Sequence, residues 1–286
     1  MLIDTHCHIH DTDTYKFALS RQPVSSKFLK KDPTFPHEIE DFTPDKILER
    51  ATKNDVLQVI CVGTSHEDSE KARDFAAKHL GTVFWSYGIH PDEADNIYSG
   101  EFASETEPEK MLSASSGLVA IGEVGLDYRE GAPRPGVSGK NNQIKLFETM
   151  LQLASDRELP VIFHVRDAFD DFFAVLNNFP KITGVVHSFS DSPENLKKSL
   201  EKGYFIGVNG LATFADIPLP PLERTLLETD APFLTPKPFR GTINEAAHIR
   251  DICAYLSREM GVSEQEMAQI TTENARKLFR LQHPIV

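Results

Sequence analysis

The chain has no apolar run approaching the ~20 residues that a membrane-spanning helix needs, so no membrane span is expected. Its first ten residues, MLIDTHCHIH, lack the basic and apolar regions of a secretory signal, and the expected location is cytoplasmic. Cysteine is scarce. Cys7, Cys61 and Cys253 are odd in number and widely spaced, which argues against a disulfide framework and fits a reducing compartment. Positive charge is also short, with 30 Lys and Arg against 43 Asp and Glu and a net charge of -13. Coating of nucleic acid draws on a basic surface that displaces counterions from phosphates, so the charge argues against a broad DNA-coating role. An acidic enzyme that grips only a few phosphates stays open, because bound divalent cations reverse the local field.

What is present suits one α/β barrel, since 286 residues lie near the ~250 typical of that fold. Short β-branched runs alternate with longer amphipathic stretches, the pattern of repeated βα units on a parallel sheet. Eight strands are predicted, at Leu2–Thr5, Val56–Val62, Val83–Ile89, Leu118–Gly122, Pro160–His164, Gly184–His187, Tyr204–Val208 and Thr225–Glu228. Apolar residues at three- and four-residue spacing predict helices over Pro44–Lys53, Ser69–Lys78, Gln143–Arg157, Asp170–Asn177 and Pro193–Lys202. Asn244–Met260 and Ser263–Leu281 read as helices outside the barrel. An open doubly wound sheet is the rival, but no glycine-rich phosphate fingerprint follows the first strand. Residues 1–286 are read as a single domain, with no linker or low-complexity tract.

The residues that bind metals fall at or just past strand ends, which in a barrel is the catalytic face. His6 and His8 end the first strand. Side chains two apart on a strand share a face, so both can converge on one ion while Cys7 points into packing. Glu123 follows the fourth strand, His164 and His187 end the fifth and sixth, and Asp230 follows the eighth. One strand-end histidine alone reads as a structural residue; six such donors at strand ends read as a site. Imidazole with carboxylate suits Zn, Mn, Co or Fe, and a two-ion site also admits Mg.

The ordered series IDTHCH, GIHP, GEVGLDY, HVRDA, HSFSD, LLETDAPFLTP and TTENARKLF covers nearly the whole chain and resembles the TatD family of metal-dependent deoxyribonucleases. The resemblance implies an amidohydrolase-like TIM (β/α)8 barrel that hydrolyses DNA phosphodiesters, in some members as a 3'-to-5' exonuclease. It also implies that His6, His8 and Asp230 hold one divalent ion, His164 and His187 a second, and that Glu123 bridges them. Two ions about 3.5 to 4 Å apart lower the pKa of a shared water and stabilise charge on the attacked phosphate. Asp230 is the candidate to orient and deprotonate that water, with a purely ligating role as the alternative. His90 and Arg166 are candidate contacts to the scissile phosphate, against readings as a structural histidine and an internal salt bridge.

The chain departs from the family pattern in three loops. His10 stands where the family often has Asp, ahead of a long first βα loop, 12–42, that carries Lys16, Arg21, Lys27, Lys30 and Lys31. That loop is read as a solvated segment, with a phosphate-binding lid as the sharper alternative. REGAPRPGVSGK is rich in Gly and Pro, and the stretch after Phe214 is short. The expected substrate is DNA, with RNA also open. The alternative activity is cleavage of an amide or aminoacyl ester, opposed by the family motifs and by Glu123 at the bridge, where many amidohydrolases use a modified lysine. A binding protein that has lost catalysis predicts a broken donor set, yet all six positions are intact.

Overall fold

The computed structural model describes residues 1–21, 39–98, 112, 116–129 and 139–282. Eight strands lie in one parallel sheet in chain order: β1 (Leu2–Cys7), β2 (Val56–Val62), β3 (Val83–Tyr87), β4 (Leu118–Asp127), β5 (Val161–Arg166), β6 (Gly184–Val186), β7 (Phe205–Val208) and β8 (Thr225–Leu227). The sheet closes where Asp230 N–H donates to His6 O at 2.9 Å and His8 N–H to Ala231 O at 2.8 Å. The TIM-type barrel expected from the sequence is therefore the fold. Strands such as VLQVICV are near-continuous apolar runs because both faces of a covered parallel sheet are buried.

Helices α1 (Thr12–Ser20), α2 (Pro44–Lys53), α3 (His66–Lys78), α4 (Ala94–Tyr98), α5 (Lys140–Arg157), α6 (Phe169–Leu176), α7 (Pro193–Glu201), α8 (Ile249–Met260) and α9 (Glu264–Phe279) accompany the strands. Their starts are marked locally. Ser65, Ser192 and Ser263 accept amide hydrogens as N-caps, and Pro193 opens α7, where a missing N–H costs nothing. A larger core lies largely between strands and helices, including Phe147, Phe163 and Phe172. A smaller one joins Ile3, Ile60, Phe84, Ile162 and Phe205 to Leu278 and Phe279 of α9. Thr272 Oγ1 donates to Met1 O and Gln58 Nε2 to Gln282 O, so α9 and the residues after it close the barrel at the strands' N-terminal end. The opposite end is left for the site.

Several boundaries differ from the sequence reading. Glu123 sits inside β4, which runs on to Asp127, and His164 sits inside β5, which runs on to Arg166. Gly125 lets the longer β4 pair closely with β5: a Cβ there would lie 1.9 Å from His164 O. β3 ends at Tyr87 rather than Ile89. Within the expected loop 12–42, residues Thr12–Ser20 are helical because Asp11 caps them, accepting from the amides of Asp13 and Thr14. Lys27, Lys30, Lys31 and most of REGAPRPGVSGK lie outside the described residues.

Candidate metal centre

The seam between β8 and β1 assembles the first group. His6 and His8 project from the end of β1, while Asp230 follows β8 in the left-handed backbone region at φ 58. Asp230 Oδ1 lies 3.6 Å from both His6 Nε2 and His8 Nε2, and Glu123 Oε2 lies 3.5 Å from His6 Nε2. Two ligands about 2.0 to 2.1 Å from one tetrahedral ion stand about 3.4 Å apart, so this is ligand spacing. The His6 ring is fully buried, and neither of its nitrogens has a hydrogen-bond partner. A buried polar atom left unpaired costs about 1 to 3 kcal/mol, which a bound cation would remove. Burial and the neighbouring His187 hold the His6 pKa below its ordinary value, favouring the neutral form that ligates.

Other contacts aim the remaining rings. His8 Nδ1 donates to Val62 O at 3.0 Å, which turns Nε2 toward Asp230; burial lowers the His8 pKa, but Asp230 outweighs it and raises it. His187 Nδ1 donates to Glu228 at 3.1 Å, and its Nε2 lies 3.5 Å from Glu123 Oε1. Such a carboxylate behind an imidazole fixes its tautomer and raises its basicity. Burial lowers the His187 pKa, but Glu228 and Glu123 outweigh it and push it up to about 10. Burial raises the Glu123 carboxyl, yet His187 and His164 hold it well below the carboxylate range.

His164 is arranged differently. Its Nδ1 meets Glu123 Oε1 at 2.5 Å and its Nε2 meets Asp127 Oδ2 at 3.3 Å. With a carboxylate on each side its pKa stands at about 9 against the opposing effect of burial, so ligation requires release of a proton. His90 packs edge-on against His164, ring centroids 4.4 Å apart, and clusters with it and Glu123, while His187 clusters with His6 and Glu228. His90 Nδ1 accepts the Asp92 amide at 3.2 Å; burial and His164 lower its pKa to about 4, so the neutral ring keeps a proton on Nε2.

Sequence reasoning missed the supporting acids. Glu228, taken as the last residue of a strand, accepts from His187, from Ser188 N at 2.7 Å and from Asn209 Nδ2 at 3.2 Å. Its signal was the buried acid of LLETD, and Gly207 makes the room: a Cβ there would lie 2.1 Å from Glu228 Oε2. Asp127 supports His164, and Asp4 takes the His6 amide at 3.2 Å. His10, left open by the sequence, is buried against Asp68 at 3.0 Å. Arg166 is exposed at the end of β5, while Asp127 is engaged by His164 and Arg129. Beside it opens a cavity of about 410 Å³ lined by Tyr128, Lys140, Asp167, Asp170, Asp171 and Asp191, among others.

A parallel barrel whose catalytic end gathers imidazoles and carboxylates at ligand spacing defines a metal-dependent hydrolase. The chain belongs to the TatD related DNase family, whose model matches residues 3–280. YcfH, an uncharacterized metal-dependent hydrolase of Escherichia coli strain K12, is 32% identical over 290 residues, covering 98% of this chain and 96% of its own length. The 3'-5' ssDNA/RNA exonuclease TatD of Erwinia billingiae strain Eb661 is 34% identical over 251 residues, 83% of this chain and 93% of that one. Among solved structures, the TatD homologue YJJV of Escherichia coli K12 superposes with a TM-score of 0.72 at 26% identity, covering 98% of each chain. The family expected from the motifs is the family found. Among the described residues no helix is long and apolar enough to cross a membrane.

Proposed function

We propose that this hydrolase cleaves phosphodiester bonds of single-stranded nucleic acid, with DNA as the main substrate, RNA as a second one, and removal of nucleotides from the 3' end. The observation that carries the reading is the fully buried His6 ring, unpartnered and set at ligand spacing between Glu123 and Asp230. The relative from Erwinia billingiae, named a 3'-5' ssDNA/RNA exonuclease, supports the substrate and direction. Two divalent cations are the cofactors in this reading: His6, His8 and Asp230 would hold one, His164 and His187 the other, with Glu123 as a shared ligand. Such ions supply an activated water and offset charge on the attacked phosphate.

The chain's own residues do the rest. Asp230 is partly exposed, and its pKa is lowered because His8 and His187 outweigh burial, so its carboxylate takes the proton of the attacking water. The exposed Arg166 fork donates to the phosphate's non-bridging oxygens, and the Nε2–H of neutral His90 is a further donor to the same phosphate. The test is hydrolysis of 3'-labelled single-stranded DNA and matched RNA by purified protein with Mg, Mn or Zn, against Asp230→Asn. Release of nucleotides that needs metal and vanishes in the variant supports the reading. No cleavage of either polymer by metal-loaded protein sinks it and directs the search to amide and aminoacyl-ester substrates.

A further inference from the structure

We propose that Phe233 is a stacking platform for a base next to the scissile phosphate; this rests on the nuclease reading and names how that site grips its substrate. Four large hydrophobic residues among those described are exposed: Met1, Phe17, Leu80 and Phe233. Met1 precedes β1 and Leu80 lies between α3 and β3, so the two aliphatic ones sit at the barrel's N-terminal end. The two aromatic ones lie on the segments that leave β1 and β8, at the end where His6, His8 and Asp230 converge.

Phe233 is placed close to that group. Its N–H donates to Asp230 O at 2.8 Å, closing a turn whose ends are within roughly 7 Å of each other. The backbone there is fixed from behind: buried Asn244 donates through Nδ2 to Phe233 O at 2.6 Å and to Thr229 O at 2.8 Å, and its N–H donates to Pro232 O at 3.1 Å. Ala231 before it is fully buried. Phe233 nevertheless stays 38% exposed, so a rigid turn presents an aromatic residue to solvent beside the proposed ligand Asp230. Aromatic rings used this way hold bases of single strands without reading their identity, and each stack is worth about 1 to 3 kcal/mol.

Charge on the rim points the same way. The loop carrying Phe233 also bears exposed Lys237 and Arg240, while its acid Glu245 is paired with Arg50 at 2.6 Å. Phe17, 43% exposed, has the Arg21 guanidinium 4.3 Å over its ring. On the other flank the cavity beside Arg166 is lined by Asp167, Asp170, Asp171 and Asp191, and its Lys140 is tied to Asp171 at 2.7 Å. The strand beyond the phosphate held by Arg166 therefore leaves the metal group toward β8 and β1 rather than across the acidic cavity.

The experiment measures KM and kcat for metal-loaded wild type, Phe233→Ala, Phe233→Leu and Phe233→Tyr on two oligonucleotides. One is intact single-stranded DNA; the other lacks the base nearest the scissile phosphate. On intact DNA the Ala and Leu variants raise KM about ten-fold, and Tyr stays within about two-fold of wild type. On the abasic strand the difference between wild type and Ala disappears. Metal content and melting temperature report folding, and Leu keeps the apolar volume if Ala disturbs the turn. Equal KM for wild type and both Ala and Leu on intact DNA overturns the stacking role while leaving the nuclease intact, as does an Ala effect that persists on the abasic strand. Failure of wild type to cleave either strand sinks the nuclease reading itself.

Discussion

Asp230 meets His6 twice: its amide donates to the His6 carbonyl at 2.9 Å, and its carboxylate faces the same residue's Nε2 at 3.6 Å. The hydrogen bond that shuts the barrel between its first and last strands thus also sets two candidate ligands at the spacing of one ion. Because the structural half of this contact is backbone, Asp230→Asn leaves the seam in place. Turnover on single-stranded DNA is expected to fall about 10²- to 10⁴-fold with melting temperature within a few degrees of wild type. Metal analysis of the variant separates the two roles. Retained metal with lost turnover marks a base that positions water, lost metal marks a ligand, and retained turnover rejects both.

Glu228 contacts His187 Nδ1, so in the proposed site its expected role is to aim that ring. Glu228→Gln keeps the volume that Gly207 leaves for it, but removes the charge that raises the His187 pKa to about 10. Metal affinity, measured by competition with a chelator, is expected to weaken about 10- to 100-fold. An unchanged dissociation constant would mean that Glu228 only fills space.

The fold and most of the candidate site were legible because both rest on short-range pattern. Alternating apolar runs gave the strands, and the offset of two between His6 and His8 gave a shared face. What escaped needed contacts distant in sequence. Asp68 reaches His10 across 58 positions and Glu228 reaches His187 across 41, so nothing local marks either acid as a partner. The extension of β4 from Gly122 to Asp127 escaped for another reason. Glycine reads as a break, whereas here its missing side chain lets β4 run close to β5 and carry Glu123 inward.

His10 and Asp68 form a buried pair at 3.0 Å, and their stability contribution depends on pH. Burial lowers the His10 pKa, but Asp68 outweighs it and lifts the value to about 10; burial raises Asp68, but His10 holds it well below the carboxylate range. A raised histidine stabilises fully below about pH 6.5 and loses that contribution as pH climbs toward 10. A depressed aspartate stabilises above about pH 3.9 and loses it on acidification. Asp68→Asn should therefore cost most near pH 5 to 6, on the order of 3 kcal/mol. Urea unfolding at pH 6 and pH 9 checks this, and a gap that widens at pH 9 contradicts the pair.

Removing metal should destabilise as well as inactivate. Without a cation the buried His6 ring keeps both nitrogens unpaired beside Glu123. A ligand at about 100 times its dissociation constant stabilises the folded state by about 2.7 kcal/mol. For a chain of this length that corresponds to a melting temperature higher by about 4 to 5 °C. Thermal scans of chelated and metal-restored protein read the shift, and coincident transitions would argue against ions held by these buried donors.

The acidic balance of the chain makes a last prediction sharp, because few cations are left to hold a polyanion near the site. Lys237 and Arg240 stand exposed on the loop that follows Asp230, and Arg240 lies 3.6 Å over the Phe214 ring, which holds its guanidinium at the rim. Each phosphate contacted on a single strand adds about 0.7 to the slope of log affinity against log salt. The double substitution Lys237→Gln, Arg240→Gln should therefore weaken binding of single-stranded DNA and flatten that slope by about 1.4, without changing which bases are preferred. Neutralising Lys16 and Arg21 on the first loop tests the rival lid in the same assay. If the slope responds to that pair and not to Lys237 and Arg240, the strand crosses the first loop instead of the eighth, and the path drawn past Phe233 is wrong.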